Sequence, residues 1–550
     1  MTAAALAPDL ADRLGPIPAS LPDFLREAAE THGDAFCCSI VLPNGWSAKL
    51  SYAQLDAASD RLSRFLTASG FQRGDVAAIQ APNILSYPVA LFGVLKAGGV
   101  VTNVNPLYTA HEAARQIRRS QARVLFGFDG FASVLNELYD TVPNLTLITL
   151  SASDFFPGLG SRVLDGLLRL TGKVSKVGRP HIRLRDALKR SANVEPPAPL
   201  SGEEVCFHQY SGGTTGEPKG ALLTGHRLML NVAQTVAMSP DKLTRPGRRA
   251  LLVLPLYHMF GLFMCIAAMR TGGETVLIPN PRPLSNLKPA FEKCRPDIVP
   301  GVNTLFAGLL EEPWFTKDLA ACVELTFSGA TALKETVARR WMERTGSVIS
   351  EAYGMTETTT VLTSTPLDAG YRPGLAGRPL PGVEIRICDE DGQPLAPGER
   401  GEVRARGPQL MLGYLGEDGP DISAMPDGWL RTGDIGVMEP DGFLRIVDRL
   451  KDMIIVSGFN VYPNEIEETL HAVDGVAEAA VTGAPDNKTG ERIVAHVVRS
   501  DPGLTREQII EACEARLTAY KRPKEIRFVE SLPKSPVGKV LRRELKDAAP

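Results

Sequence analysis

Short apolar segments alternate with capped helices over residues 51–128, and this alternation is the feature that most narrows the fold. Ser51 with Gln54, and Thr109 with Glu112, have the spacing of capping boxes, in which two residues satisfy the free N–H groups at a helix start. Strands are predicted at Val76–Gln80, 100–104 and 124–128. A helix is predicted between the first two strands, at Ser86–Lys96. Such alternation predicts a parallel sheet covered by helices on both faces, with ligands bound beyond the carboxyl ends of the strands.

The same alternation returns later in the chain. The predicted elements there are 251–254, 275–278, 284–294, 298–302, Leu325–Ser328 and 333–344. From about Gly377 the pattern changes to short β segments at 383–387, 401–406 and 443–447, separated by Asp-Gly and Pro-Gly turns. The sequence therefore predicts a second doubly wound unit followed by a small β-rich subdomain.

The last part of the chain predicts a compact α+β unit. Asn464 with Glu467 and Thr505 with Gln508 have capping-box spacing, and strands are expected at 479–482, 493–498 and 526–529. A polar cluster at 448–452 is the expected boundary between domains 1–450 and 451–550. The expected fold class is α/β: a large N-terminal domain of two doubly wound αβ subdomains plus a small β-rich subdomain, followed by a mobile α+β C-terminal domain.

Composition excludes several other classes of protein. With 550 residues, 44% hydrophobic and 22% charged, the chain is typical of soluble multidomain proteins, and a net charge of −3 gives no general reason to expect nucleic acid binding. Its eight cysteines show no CxxC pair, so we expect them to be reduced and mostly buried. The first residues lack the pattern of a signal peptide, which predicts a cytoplasmic location.

Two stretches raise the question of membrane contact. Residues 251–269 carry no charge, but Pro255 and Gly261 favour a buried strand, a turn and a core helix over a membrane span. Residues 161–190 contain nine basic residues against two acidic ones, together with several leucines. We favour a solvated basic insertion there, because the apolar periodicity is poor; peripheral contact with an anionic inner membrane surface is the alternative.

A loop at 209–220 has the composition of a phosphate site. It contains four glycines, three aliphatic hydroxyls and Lys219 between apolar segments. Glycine lets backbone N–H groups turn toward an anion, while hydroxyls and lysine add donors and positive charge. The loop is not a Walker P-loop, because Pro218 precedes Lys219 and Gly220 follows it.

Seven motifs in a fixed order extend this observation. They lie at 210–220 (YSGGTTGEPKG), 254–258 (LPLYH), 353–358 (YGMTET), 428–434 (GWLRTGD), 448–452 (DRLKD), 457–463 (SGFNVYP) and 533–539 (PKSPVGK). This set resembles the adenylate-forming superfamily of acyl-CoA ligases, peptide-synthetase adenylation domains and beetle luciferases. The resemblance covers roughly residues 50–545. Within the superfamily the chain looks most like bacterial long-chain fatty acid CoA ligases, at 102–109, 301–306 and 456–467.

The resemblance implies a two-step reaction. Such ligases activate a fatty acid carboxylate with ATP and Mg²⁺, release pyrophosphate, and pass the acyl group from AMP to the thiol of coenzyme A. A carboxylate is a poor nucleophile toward an anionic phosphate, so the first step needs a cluster of groups that screens their repulsion.

The resemblance also implies roles for individual residues. The implied catalytic residues are Lys539, Glu357, Thr356 and His258, with Glu357 as the Mg²⁺ ligand. The implied ATP and AMP residues are Ser211, Gly212, Gly213, Thr214, Thr215, Gly216, Lys219, Gly329, Ala330, Thr331, Tyr353, Gly354, Asp434 and Arg449. Lys451 falls on the family's hinge, and the implied residues on the CoA side are Ser457, Gly458 and Phe459.

Two departures from the family pattern affect these expectations. The segment 328–333 reads SGATAL, where the family commonly has SGGAPL, so the adenine contact is expected mainly from its backbone. Gly225 is an apparent extra residue before His226, which bears on where the next helix begins. The role of Lys534, near Lys539, stays open.

The sequence leaves other functions open. An aryl or medium-chain acyl-CoA ligase is the main alternative, and a luciferase-like oxidoreductase acting on an acyl adenylate is a second. Amino-acid adenylation is disfavoured, because the aspartate that such domains use for the α-amine would fall near Met259. An isolated histidine such as His258 would more often be a packed core residue, and Asp434 or Arg449 taken alone would more often form a surface ion pair. The matching motifs favour the functional roles for all three. The sequence does not indicate the oligomeric state, so a homodimer stays open.

Overall fold

The computed structural model describes residues 8–158, 160–170, 176–191, 193–211, 218–486, 488–535 and 538–547. Several predicted residues therefore lie outside the described residues, namely Lys173 of the basic segment and Gly212, Gly213, Thr214, Thr215 and Gly216 of the glycine-rich loop.

The first αβ unit is built on a nine-stranded sheet, which we call sheet 1. From edge to edge its strands are Pro420–Asp421, Tyr414–Leu415, Lys219–Thr224, Val205–Ser211, Val100–Asn103, Val76–Gln80, Ala122–Phe128, Thr146–Leu150 and Ile182–Arg183. The last six strands of this order pair in parallel, and the first four pair antiparallel. Both predicted capping boxes are present, at Ser51 and Thr109. The predicted βαβαβ unit is thus confirmed.

A second nine-stranded sheet, sheet 2, faces the first. Its strands in order are Arg378–Pro379, Thr363–Ser364, Ile349–Tyr353, Leu325–Ser328, Ile298–Gly301, Arg249–Leu252, Glu274–Leu277, Phe36–Val41 and Ser47–Ser51. The second doubly wound unit is confirmed, but it also recruits two strands from the start of the chain. Phe36–Val41 pairs in parallel with Glu274–Leu277, with Ser39 opposite Val276. Pairing over such a distance leaves no local signal in the sequence.

Helices cover both sheets. In the N-terminal domain they are Pro8–Leu14, Leu21–His32, Tyr52–Ala68, Ser86–Lys96, Ala110–Arg119, Ala132–Thr141, Gly160–Leu170, Leu184–Lys189, Gly225–Val236, Pro240–Leu243, Met259–Arg270, Lys288–Cys294, Asn303–Glu311, Lys317–Ala320 and Glu335–Thr345. Gly225 is the first residue of its helix, which Thr224 caps by accepting from the Arg227 backbone N–H, so the extra residue does not displace the helix start.

The uncharged stretch 251–269 is divided between a strand and a core helix, as predicted. Arg249–Leu252 lies inside sheet 2, and a turn leads to the almost entirely buried helix Met259–Arg270. Among the described residues, no helix has the length and apolar character needed to cross a membrane. The eight cysteines are all unpaired, and all but the half-buried Cys322 are buried, in agreement with the prediction.

The β-rich subdomain and the C-terminal domain have their own sheets. The subdomain contains Glu384–Cys388, Arg400–Arg406, Leu430–Met438 and Leu444–Arg449, all antiparallel. The C-terminal domain contains strands Phe459–Val461, Ile454–Val456, Gly490–Arg499, Val476–Asp486 and Glu525–Phe528, with helices Pro463–His471, Arg506–Arg516 and Arg542–Asp547. Its buried apolar residues form a core separate from the large core of the N-terminal domain.

One predicted helix cap is wrong. The helix at Pro463 follows Tyr462, and no side chain caps it. Asn464 lies inside the first turn: its backbone N–H donates to Asp448 Oδ2 at 2.8 Å, and its amide donates to the Val447 carbonyl. Glu467 instead accepts from Arg542 and from the Val481 backbone N–H. Proline starts a helix well because its missing N–H would be unpaired there anyway, so this helix needs no capping box.

Part of the basic segment 161–190 is integrated into the fold. Ile182–Arg183 forms the edge strand of sheet 1. Arg179 pairs with Asp140, and Arg185 pairs with Asp165. These two arginines are therefore neutralised by neighbouring carboxylates, which supports the interpretation of a structural insertion.

A buried asparagine helps to join the two large sheets. Asn83 follows the strand Val76–Gln80, and its amide donates to the carbonyls of Leu252 and Leu254 at 3.0 and 2.9 Å. Its Oδ1 accepts from the Leu256 backbone N–H at 2.8 Å. These bonds fix the turn that leads from sheet 2 toward His258.

We expect Asn83→Ala to lower the free energy of unfolding by roughly 2 to 4 kcal/mol, because it leaves the Leu254 carbonyl and the Leu256 N–H buried without a partner. The Leu252 carbonyl keeps its bond from the Ile278 N–H. Urea denaturation followed by circular dichroism would measure the change. Asn44→Ala is the matched control, because Asn44 is exposed and accepts one bond, from the Trp46 backbone N–H; its cost should stay below about 1 kcal/mol. Equal effects of the two substitutions would contradict the role given to Asn83.

Candidate active site

The predicted site residues of sheet 2 lie at or just beyond the carboxyl ends of its parallel strands. His258 follows Arg249–Leu252, the segment 329–331 follows Leu325–Ser328, and 354–357 follows Ile349–Tyr353. In sheet 1, Val205–Ser211 ends where the glycine-rich loop begins. Parallel strands bring their carboxyl ends to one edge, so these loops form one cleft.

Glu357 lies at the meeting point of both sheets. Its Oε1 accepts from the Ser211 hydroxyl at 3.1 Å and from the Tyr414 hydroxyl at 2.7 Å. The Lys219 ammonium lies 4.9 Å from the centroid of the Tyr414 ring. Burial, together with the Glu357 carboxylate, raises the pKa of Tyr414, which keeps this phenol a donor. Sequence reasoning missed Tyr414, because nothing local indicates that Tyr414–Leu415 pairs with Lys219–Thr224.

Backbone geometry fixes the positions of Thr356 and Glu357. Both residues are buried in a 3₁₀ turn that ends at Thr359, which has a φ of 61°. A Cβ on Gly354 would lie 1.8 Å from the Thr360 carbonyl oxygen. Only glycine fits at this position, so the turn depends on it.

Asp434, in the β-rich subdomain, is held by a neighbouring strand of that subdomain and by sheet 2. It lies opposite Arg449 in the β-rich subdomain, and the Arg449 Nε is 3.0 Å from Asp434 Oδ1. The Tyr353 hydroxyl, from sheet 2, donates to Asp434 Oδ2 at 2.7 Å. Burial first, and then the charge of Asp434, raises the pKa of Tyr353. The structure thus brings together three of the residues predicted to contact nucleotide.

The segment 328–333 carries polar groups with unused bonding capacity. Ala330 has a φ of 64°, and the Thr331 backbone N–H turns back to the Gly329 carbonyl at 2.8 Å. The hydroxyls of Ser328 and Thr331 are buried and have no hydrogen-bond partner among the described residues. Buried hydroxyls are normally bonded, so this loop suits a polar ligand.

Lys539 reaches the same place from the C-terminal domain. Its carbonyl accepts from the Ser535 backbone N–H at 2.7 Å, and its own N–H donates to the Ser535 hydroxyl at 3.1 Å. Burial and the neighbouring Arg449 lower the pKa of Lys539 to about 8, although Asp434 opposes them. A lysine pKa that lies near neutral pH, in a cleft between charged groups, is typical of a functional site.

His258 begins a helix and is uncharged. Its Nδ1 accepts from the Phe260 backbone N–H at 3.3 Å, so the imidazole caps the helix Met259–Arg270. Burial lowers the pKa of His258 to about 4. Because Nδ1 accepts, the proton of the neutral ring lies on Nε2, which is a potential donor.

The remaining predicted residues are divided between the cleft and the surface. Lys451 lies close to the cleft, and its pKa is lowered mainly by burial and then by Arg449. Ser457 and Gly458 form a tight turn with φ values of 53° and 82°. Phe459 is 55% exposed and stacks on Tyr520 with centroids 4.7 Å apart, so the structure does not bring this loop together with Lys539. Lys534 forms an ion pair with Glu478.

Comparison with known proteins places this cleft in context. Residues 25–415 match the family described as AMP-binding enzyme, and residues 465–539 match the AMP-binding enzyme C-terminal domain. A Long-chain-fatty-acid--CoA ligase of Salmonella typhimurium is 40% identical over 506 residues, which are 91% of this chain and 90% of that protein.

Solved structures of other proteins resemble this chain over nearly its whole length. ATP-bound MatB from Rhodopseudomonas palustris superposes with a TM-score of 0.81 at 29% identity, covering 96% of this chain and 98% of that one. The o-succinylbenzoate coenzyme A synthetase of Bacillus subtilis, in complex with ATP and magnesium ion, gives a TM-score of 0.78 at 26% identity, covering 95% and 99%.

The capping bond of His258 can be tested with a matched pair of variants. His258→Ala removes the acceptor and should lower the free energy of unfolding by about 1 to 2 kcal/mol, whereas His258→Asn keeps a side-chain acceptor and should cost less. Thermal and urea denaturation would compare the two variants. Equal losses would show that packing, not the cap, holds the ring.

Proposed function

Because this chain belongs to the AMP-binding enzyme family, we propose that it is an AMP-forming long-chain fatty acid–CoA ligase. One observation carries the proposal: Lys539 of the C-terminal domain lies in the cleft beside the Asp434–Arg449 pair. Acyl-adenylate formation needs positive charge at the point where a carboxylate meets a phosphate. The long-chain acid is proposed from the likeness to the Salmonella typhimurium ligase.

In the first half-reaction a carboxylate oxygen bonds to the α-phosphorus of ATP, and the bond to pyrophosphate breaks. The Lys539 ammonium would neutralise charge that builds up on the carboxylate and the α-phosphate. Asp434, which can only accept, would hold the ribose hydroxyls, with Arg449 beside it. His258 Nε2–H would donate to the acid, and Lys219 with the loop 211–216 would hold the triphosphate.

The donor set also fits Mg²⁺. Among the described residues, no group of three or more His, Cys, Asp or Glu could hold a metal by itself. Mg²⁺ is usually bound by one or two carboxylates together with substrate phosphates and water, and Glu357 supplies one carboxylate beside the Thr356 hydroxyl. When bound, Mg²⁺ would neutralise charge on the phosphates.

In the second half-reaction the CoA thiolate attacks the acyl carbonyl, and AMP leaves. We propose that the C-terminal domain turns about Lys451, at a boundary between residues 450 and 451, and that Ser457, Gly458 and Phe459 then border the CoA thiol. The exposed position of Phe459 supports this, because 55% of the residue is available for a contact in another domain orientation. For residues 161–190 we propose a solvated insertion and no membrane anchor.

A screen of acids tests the substrate class. Pyrophosphate release should depend on ATP, Mg²⁺ and an added acid, and it should be fastest with fatty acids of long chain when CoA is present. Acids of graded length, together with aryl acids, would be compared at equal concentrations. Preference for an aryl or medium-chain acid would overturn the long-chain assignment, and release without thioester formation would overturn the ligase assignment.

Replacing Lys539 should separate the two half-reactions. Lys539→Ala should slow acyl-AMP formation by roughly 100-fold, the usual effect of losing one group that stabilises a transition-state charge, while leaving thioester formation from supplied acyl-AMP intact. Lys534→Ala is the matched control, because Lys534 lies in the same hairpin as Lys539, formed by residues 533–535 and 538–541. Equal loss of both half-reactions in Lys539→Ala would contradict its role.

The pKa of Lys539 also predicts a pH profile. The working form is the protonated ammonium, so kcat/KM for acyl-AMP formation, which reports the free enzyme, should fall as pH rises through about 8. Lys539→Arg stays protonated at that pH, so its residual activity should lack this decline. A decline near pH 8 that persists in Lys539→Arg would assign the titration to another group.

A further inference from the structure

A lysine–histidine contact joins the two domains close to the cleft. The Nζ of Lys334, in the N-terminal domain, lies 3.1 Å from the Nδ1 of His471 in the C-terminal domain. Both side chains are half-buried. Neither residue belongs to the seven motifs, and sequence reasoning gave neither a role.

The backbone of Lys334 is fixed at the edge of the cleft. Lys334 directly follows the segment 328–333, and its N–H donates to Asn303 Oδ1 at 3.0 Å. Asn303 begins the helix Asn303–Glu311, whose next residue, Thr304, contacts the hairpin of Lys539. A Cβ on Gly538 would lie 2.8 Å from Thr304 Oγ1. The lysine and the hairpin therefore meet the same helix start.

On the other side, Lys334 points at the end of a helix. His471 is the last residue of Pro463–His471. A cation near the carboxyl end of a helix is favoured, because unpaired carbonyls carry partial negative charge there. Glu478 and Glu467 of the C-terminal domain also attract the ammonium, whereas burial, the largest effect, lowers the pKa of Lys334.

The histidine is an acceptor in this contact. Burial, and then the charge of Lys334, lowers the pKa of His471 to about 3. At neutral pH the ring is therefore uncharged, and Nδ1 can accept from the ammonium. A charge-assisted hydrogen bond of this kind is stronger than one between two neutral groups.

We propose that Lys334 and His471 are positioning residues that hold the C-terminal domain in the orientation placing Lys539 in the cleft. The contact serves acyl-AMP formation alone, since its two partners lie on different domains and must separate when the C-terminal domain turns. This inference rests on the proposed two-step reaction. It adds to that proposal a pair of residues that lie outside the seven motifs.

Separate assays of the two half-reactions test the pair in the full-length enzyme. Lys334→Met keeps the apolar stem and removes the ammonium; it should slow acyl-AMP formation by at least about 10-fold, the lower end of the effect expected for one hydrogen bond to a charged group. Thioester formation from supplied acyl-AMP should be unchanged or faster. His471→Leu should behave in the same way, and His471→Gln, which retains an acceptor, should recover part of the rate.

The double variant distinguishes a direct contact from two separate defects. The Lys334→Met and His471→Leu double variant should form acyl-AMP no more slowly than either single variant, because either substitution alone already removes the contact. Lys317→Met, at an exposed helical lysine, is the matched control and should leave both half-reactions unchanged. Thioester formation also reports whether each variant is folded.

The outcomes separate this inference from the proposed function. If the unaltered enzyme forms no acyl-AMP from any acid, the proposed function fails and the inference fails with it. If the unaltered enzyme does form acyl-AMP, equal slowing of both half-reactions in Lys334→Met, or no slowing of either, overturns the pairing while the proposed function stands. Additive effects in the double variant also overturn it.

Discussion

The arrangement of the cleft depends on the contacts of the buried Asp434 carboxylate. A buried charge is costly unless it is paired and hydrogen-bonded, and Asp434 has Arg449 on one oxygen and Tyr353 on the other. Arg449 is the last residue of its strand, immediately before the 3₁₀ turn Leu450–Asp452 that leads to the C-terminal domain. Tyr353 ends a strand of sheet 2. Asp434 thus links the β-rich subdomain to sheet 2.

Local patterns in the sequence predicted much of the fold and failed where pairing is distant. The capping boxes at Ser51, Thr109 and Thr505 were all confirmed, because a capping box involves only neighbouring residues. The strand Phe36–Val41, which pairs with Glu274–Leu277, could not be assigned to its sheet from its own residues. The cap predicted at Asn464 was wrong for a related reason: Asp448, which is remote in sequence, takes its backbone N–H.

The same distinction holds for the cleft. The motifs predicted Glu357, Asp434, Arg449 and Lys539. The structure places Asp434 and Arg449 close to Lys539, and it places Glu357 close to Lys451. Tyr414 and Lys334 were missed, because each acts through a contact far along the chain, with Glu357 and His471 respectively. Short motifs predict the residues that face a ligand. They predict less well the residues that hold those side chains in place.

The interface between the two domains has the character of one that can open. The cores on its two sides are separate, and several of the contacts across it are polar, such as Lys334 with His471 and the Arg400 guanidinium 4.7 Å from the Tyr462 ring centroid. Polar interfaces inside a chain usually permit relative motion of domains.

Because the cleft is lined by charged groups, the orientation of the C-terminal domain should depend on the ligand bound there. Burial lowers the pKa of Lys539, Lys451 and Lys334, which means that all three ammonium groups lose hydration in this arrangement. The phosphates of ATP beside Lys539 would offset that cost and favour the orientation, and the departure of pyrophosphate would withdraw much of the negative charge. A ligand shifts a conformational equilibrium only by its difference in affinity for the two states. The lost charge of the leaving group would therefore favour the proposed turn of the C-terminal domain after the first half-reaction.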